Sequence, residues 1–194
     1  MNAIAKTENL VRMPVKRENE TLLQMTKTID SREFRRYGTV IGIQSGNAYV
    51  TDGFGVLRWK PDGDLGHDRA LNTSLSQNES ITFPNVSNVW PKTPMSIMSC
   101  ADVLISWIGQ LKPTKKKPNM VLKITERGPT LVPLVDCKAY DGPIFNPALL
   151  CKYIKGIPKN AAITSVKFNS EFLLLNFLSD VGEFEILLVS LNQG

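Results

Sequence analysis

Ala48 to Trp59 reads AYVTDGFGVLRW, and this stretch decides how the rest of the chain is parsed. Ala48 to Thr51 and Gly55 to Lys60 are short, largely apolar runs of strand character. Between them, Thr51-Asp52-Gly53 supplies a tight corner: Asp accepts from backbone N–H groups just ahead of it, and Gly tolerates positive φ. Upstream, Thr39 to Ile43 is β-branched and apolar, and Ser45-Gly46-Asn47 is a turn. Three short strands joined by tight turns result. Further on, Phe83 to Pro91 reads FPNVSNVWP. Pro84, Pro91 and Pro94 lack the donor N–H and fix φ, so Pro84 to Pro94 is expected to be an extended, unladdered linker between two domains.

Working outward, Arg17 to Asp30 reads as a helix with Leu22, Leu23, Met25 and Ile29 on its apolar stripe. Residues 1–16 are polar and mixed, and are expected to be flexible. Pro61 to Gly66 is a loop, His67 to Ser80 has no readable period, and Ile81 to Phe83 is a short strand. Beyond the linker, Ser99 to Leu111 is helical, with Val103, Leu104, Trp107, Ile108 and Leu111 on one face. Lys112 to Pro118, KPTKKKP, is a basic loop. Val121 to Thr125 and Thr130 to Val135 form a hairpin turned at Arg127-Gly128. Asn146 caps a helix over Pro147 to Lys155, with Pro147 in its first turn. Strands follow at Ile163 to Phe168, Glu171 to Phe177 and Phe184 to Leu191. Helix, strands, helix, strands in the second half is an α+β arrangement, with helices on one face of antiparallel sheets. The first half begins the same way but shows no second helix. The expected units are therefore a truncated one over 17–90 and a complete one over 91–194.

At 194 residues and 42% hydrophobic, the chain is long and apolar enough to bury a core. Its net charge of +5 is compatible with an anionic partner and is weak evidence alone. Cys100, Cys137 and Cys151 show no C-x-x-C spacing and read as reduced residues of a reducing cytosol. No signal peptide and no run of the roughly 18 apolar residues a membrane span requires is visible. A cytoplasmic protein without a membrane partner is the expectation. No phosphate loop, nucleophile elbow, zinc-protease or dinucleotide motif occurs. His67 lies near Asp62, Asp64 and Asp68, but the ligands sit in a Gly-rich turn, so a turn is preferred to a metal site. No cofactor, metal or catalytic residue is expected. Trp59, Trp90 and Trp107 read as core or junction anchors rather than base-stacking platforms.

Taken in order, these segments resemble the bacterial beta sliding clamp, the processivity clamp of DNA polymerase III. Arg32 to Gly42 resembles the strand after the first helix of the clamp's middle domain. Tyr49 to Leu57 resembles the family's A-T-D-G-H-R-L corner, with Thr51-Asp52-Gly53 retained. Phe83 to Pro94 resembles its F-P-D-Y-x-x-V-x-P linker, with Phe83, Pro84, Val89 and Pro91 retained. Phe145 to Gly156 resembles the F-N-x-x-Y-L-L-x-A-L helix of the last domain, with Phe145, Asn146 and Leu150 retained. The similarity spans residues 17 to 191. The chain departs in having room for two domains rather than three. It has Phe54-Gly55 where the family has His-Arg, and Leu188-Val189-Ser190-Leu191 near its end where the family has M-P-M-R-L.

The resemblance implies a DNA sliding clamp, a replication processivity factor that performs no chemistry. It would encircle or track duplex DNA non-specifically through Lys and Arg facing phosphates. Arg32, Arg35, Arg36, Lys112, Lys115, Lys116, Lys117, Lys152 and Lys155 are the candidates, with a solvated surface as the plain alternative. A DNA polymerase or other replication protein would dock a short peptide in a junction pocket. By position that pocket would use Thr51, Gly53, Phe54, Leu57, Pro91 and Leu188, each of which could equally be core. Two-domain clamps close as trimers, so a homo-oligomer, with a trimer as the first guess, is implied. A phage or mobile-element origin and a nucleoid-associated place in the cytoplasm go with it. The alternative is a non-enclosing, clamp-derived interaction module that binds or blocks a replication protein.

Overall fold

A computed structural model describes residues 15–29, 36–98, 120–125, 128–133 and 142–191. Helix α1 (Val15–Met25) places Leu22 and Met25 one turn apart on its buried side and tightens into a 3-10 turn at Thr26–Thr28. The strands β1 (Ile41–Gln44), β2 (Asn47–Thr51), β3 (Gly55–Lys60) and β4 (Arg69–Leu71) follow. After the linker come β5 (Ser96–Ile97), β6 (Met120–Thr125), β7 (Gly128–Pro133) and β8 (Ile144–Phe145). Helix α2 (Pro147–Ile154) leads to β9 (Ala162–Phe168), β10 (Phe172–Ser179) and β11 (Gly182–Val189).

One eight-stranded sheet runs in the order β4-β1-β2-β3-β11-β10-β9-β5, and a three-stranded sheet runs β7-β6-β8. All pairings are antiparallel. The large sheet therefore joins four strands of the first half to four of the second at a single seam. There β3 pairs with β11 from Gly55↔Leu188 to Lys60↔Glu183. Local chemistry sets the turns. Ser45 and Gly46 both take positive φ, 49° and 75°, which gives a two-residue primed turn between Gln44 and Asn47. The Asn146 side chain accepts from the Ala148 N–H at 2.9 Å, and Pro147 opens α2 where no N–H is needed.

Strand alternation divides the large sheet into two faces. Ile41, Ile43, Ala48, Val50, Leu57, Trp59, Phe184, Ile186 and Leu188 point inward. They form one core with Leu22 and Met25 of α1 and Leu150 and Tyr153 of α2. The Trp59 ring stacks on Phe184, and its indole N–H donates to the Val181 carbonyl at 2.8 Å. Half-buried Cys151 packs against this core. The architecture is α+β. Among the described residues, no helix is long and apolar enough to cross a membrane.

Several elements differ from the expectations. The α-helix of α1 spans Val15–Met25 rather than Arg17 to Asp30. Ile81 to Phe83 forms no strand. Instead the Phe83 ring lies flat over Gly42 of β1, where an added Cβ would sit 2.1 Å from it. The segment from Pro84 onward is docked rather than bridging freely. The Gln44 amide donates to the Pro84 carbonyl (2.8 Å) and accepts from the Val86 N–H (3.2 Å), and Ser87–Val89 curls into a 3-10 turn. Strand β4 emerges within the unassigned His67 to Ser80 stretch, and β5 just beyond the linker. The hairpin strand β7 begins at Gly128, so Pro129 is a strand residue. The helix expected over Ser99 to Leu111, with Trp107 and Cys100, lies outside the described residues, as does Cys137.

Candidate functional site

On the outer face of the seam lies an apolar cleft of about 220 Å³. Its floor is Val56 of β3 against Leu187 of β11, cross-strand partners, with Val189 beyond them and Phe172 of β10 alongside. Its far wall is the docked linker, through Pro84, Val86 and Val89. Its rim is the end of β2 and the following corner, Thr51 and Gly53. Thr51 and Asn85 are the polar side chains of the lining, and none of the lining residues is charged. Val89 is 41% exposed at the cleft, and Phe54, on the corner beside Gly53, is 53% exposed.

The corner is held from within and from the other half of the chain. The Thr51 hydroxyl donates to the Gly55 carbonyl (2.7 Å) and accepts from the Gly53 N–H (3.0 Å). Asp52 Oδ1 accepts from the N–H groups of Phe54 (3.1 Å) and Gly55 (3.2 Å), and Gly53 takes φ of 86°. From α2, Lys152 Nζ donates to Asp52 Oδ2 at 3.1 Å. The Tyr153 hydroxyl accepts from the Asp52 N–H (3.2 Å) and donates to the Gly55 carbonyl (2.9 Å). Asp52 and Tyr153 are buried, so these bonds act where water does not compete.

Two residues further along the seam, the same outer face becomes ionic. Arg58 pairs with Glu185, and Lys60 reaches Glu185 (2.8 Å) and Glu183 (3.6 Å). The Arg58 guanidinium also lies 3.7 Å over the Trp90 ring, which meets Tyr49 edge-on. Trp90 is thus a linker anchor on the outer face, whereas Trp59 is inner core.

Of the pocket residues named from sequence, the structure brings Thr51 and Gly53 to the cleft and Phe54 next to it. Leu57 and Leu188 are turned the other way, 0% and 1% exposed in the inner core, and Pro91 is not part of the lining. On both strands the cleft is lined by the residues next to Leu57 and Leu188. Thr51 pairs with Val56, and Val56 with Leu187, so residues sharing Thr51's face are Val56 and Leu187. Counting the ladder out from the corner would have found them. The contributions of Gln44 and Tyr153 carried no local signal.

Among the basic candidates, Lys152 is 24% exposed at its side chain and held by Asp52, while Lys155, the C-cap of α2, is exposed. Arg36 opens a 3-10 turn at Arg36–Thr39. Arg32, Arg35, Lys112, Lys115, Lys116 and Lys117 lie outside the described residues. Around His67, the carboxylates serve the backbone: Asp64 accepts from the Gly66 N–H (2.9 Å) and Asp68 from the Ser45 N–H (2.8 Å). Among the described residues no group of three or more His, Cys, Asp or Glu is placed to hold a metal ion.

No protein-family model and no curated protein sequence matches the chain. Solved structures do. DNA polymerase III subunit beta from Borrelia burgdorferi, in complex with a natural product, gives a TM-score of 0.60 at 12% identity, covering 90% of this chain and 63% of that one. The DNA polymerase sliding clamp of Bacillus subtilis gives 0.60 at 13% identity, covering 90% and 62%. PCNA from Thermococcus kodakaraensis gives 0.52 at 11% identity, covering 90% of this chain and 96% of that one. The chain thus spans under two-thirds of the length of these beta subunits and nearly all of the PCNA chain. At such identities the likeness concerns architecture, and it agrees with the resemblance read from the four sequence segments: this chain has the α+β fold of a sliding clamp.

Proposed function

We propose that this chain is a clamp-fold scaffold that docks a replication protein by taking an extended apolar segment of it into the cleft at the β3–β11 seam. The observation that carries this reading is the cleft itself, uncharged, apolar and walled by both halves of the chain. Its volume falls below the ~300–1,000 Å³ of sites that enclose a small-molecule ligand and suits a few side chains of a strand-like segment. Phe54 and Val89 stand exposed beside it and would be covered by such a segment. In this reading Thr51, Gly53 and Phe54 serve as rim, Val56, Leu187 and Val189 as floor, and Pro84, Val86 and Val89 as the linker wall. The units are a truncated clamp module over 17–90 and a complete one over 91–194.

The test is fluorescence anisotropy with a labelled, capped pentapeptide carrying two leucines and a phenylalanine separated by uncharged polar residues. Saturable binding is expected, with at least about tenfold weaker binding for Val89→Glu, whose half-exposed site keeps the stability change within about 0.5 kcal/mol. No saturable binding, or equal binding by Val89→Glu, contradicts the reading.

A second reading is an oligomeric ring that tracks DNA. The agreement with PCNA over nearly the whole of that chain favours it. In it Lys155, the arginines at 32, 35 and 36 and the lysines at 112 and 115–117 would face phosphate, while Lys152 serves the corner instead. Sedimentation equilibrium separates the two. A discrete trimer is the ring's expected result, and a concentration-independent monomer removes the ring but leaves the docking role.

A further inference from the structure

We propose that Lys152 and Tyr153 of α2 are positioning residues for the cleft: acting through Asp52 and Gly55, they fix the corner that forms its rim and holds Phe54 at its mouth. An Asp-Gly turn can close itself with one carboxylate oxygen on the following N–H groups, as Asp52 Oδ1 does. Here the second oxygen is engaged as well, by Lys152 from a helix 100 residues away in sequence. The ammonium thus sets the rotation of the carboxylate that caps Phe54 and Gly55. Tyr153 ties the two ends of the corner together, accepting from the Asp52 N–H and donating to the Gly55 carbonyl.

Gly55 belongs to the same device. A Cβ on it would lie 2.7 Å from Tyr153 Cε2 and 2.8 Å from Leu188 Cδ2, so only glycine admits the ring that closely. On the other side of the corner, Gly53 lines the cleft and the Phe54 carbonyl accepts from the Val189 N–H at 3.0 Å. The rim supplied by the first half is therefore shaped by a helix of the second. A rim fixed before binding spares the ligand the entropy of ordering it, and its loss should appear chiefly as faster dissociation.

The consequence for binding rests on the docking role proposed above; the anchoring of the corner does not. Both are measured on the full chain in Lys152→Met, Lys152→Arg and Tyr153→Phe. In Lys152→Met and Tyr153→Phe, amide hydrogen exchange by NMR should accelerate about tenfold or more at Phe54 and Gly55, as expected for loss of a buried hydrogen bond. Ile186 and Leu175 on the neighbouring ladder should be unchanged. The pentapeptide should bind roughly five- to tenfold more weakly to both variants, through a faster off-rate. Lys152→Arg should restore exchange and affinity together. Unchanged exchange at the corner overturns the anchor whatever the peptide does. Accelerated exchange with unchanged peptide affinity overturns the positioning role. Accelerated exchange in a protein whose wild type binds no pentapeptide supports the anchor and overturns the docking reading instead.

Discussion

The outer face of the β3–β11 seam has two ends made by the same pair of strands. At one end Val56 faces Leu187, with the linker standing over them, and the surface is open and apolar. At the other, Arg58 and Lys60 meet Glu185 and Glu183, and Trp90 covers the guanidinium. The inner faces of these two ends are alike: Leu57 and Leu188 behind the cleft, Trp59 and Phe184 behind the charges. Folding thus demands only the inward period. What the outer residues do is a separate matter, and the two ends do different things. The ionic end satisfies itself within the chain and fixes register, since a one-residue slip would turn Arg58 and Glu185 into the core. At the cleft end Val56 and Leu187 lie buried under the linker while Phe54 and Val89 stand exposed beside them, and in the docking role proposed above these two are what a ligand would cover.

The shared inner layer should give the largest effect. Trp59→Ala removes a fully buried indole, its stack on Phe184 and its bond to Val181, and is expected to lower stability by about 3–5 kcal/mol in urea unfolding. A loss below about 1 kcal/mol would mean that the two ends do not share one core. Next comes the ionic end. Glu185→Ala strands Arg58, leaves Lys60 only Glu183, and should cost about 2–3 kcal/mol, with peptide affinity retained. The double substitution Arg58→Leu with Glu185→Leu should recover most of that loss, because no half-buried charge is then left alone. If Glu185→Ala instead weakens peptide binding as strongly as Val89→Glu, the two ends are not separable. The smallest stability effect belongs to the cleft mouth. Phe54→Ala should change stability by no more than about 0.5 kcal/mol while weakening the pentapeptide about three- to tenfold.

Features encoded locally were legible in the sequence. Thr51-Asp52-Gly53, Ser45-Gly46 and Asn146-Pro147 each carry their own turn or cap chemistry, and each forms where that chemistry puts it. Short apolar and β-branched runs bounded by turns identified most of the strands of the large sheet. What failed was anything needing a partner far along the chain. Pro84 was rightly read as unladdered, but its docking depends on Gln44, 40 residues earlier. Lys152 stands in the sequence as a candidate to face phosphate, yet its ammonium pairs with Asp52, 100 residues earlier. Leu57 and Leu188 enter the pocket by position, from the family resemblance; the Thr51↔Val56 and Val56↔Leu187 pairings tell which side of the sheet each faces. The 3-10 turn at Ser87–Val89 arises inside the proline-rich stretch expected to be extended, and strand β5 forms just past its end.

The claim that the two ends of the seam differ in role is tested most directly by hydrogen–deuterium exchange with and without saturating pentapeptide. The account predicts protection concentrated at Gly53 to Val56, Val86 to Val89 and Leu187 to Val189, with Arg58 to Lys60 and Glu183 to Glu185 unaltered. Protection spread evenly along the seam, or confined to the ionic end, would contradict it.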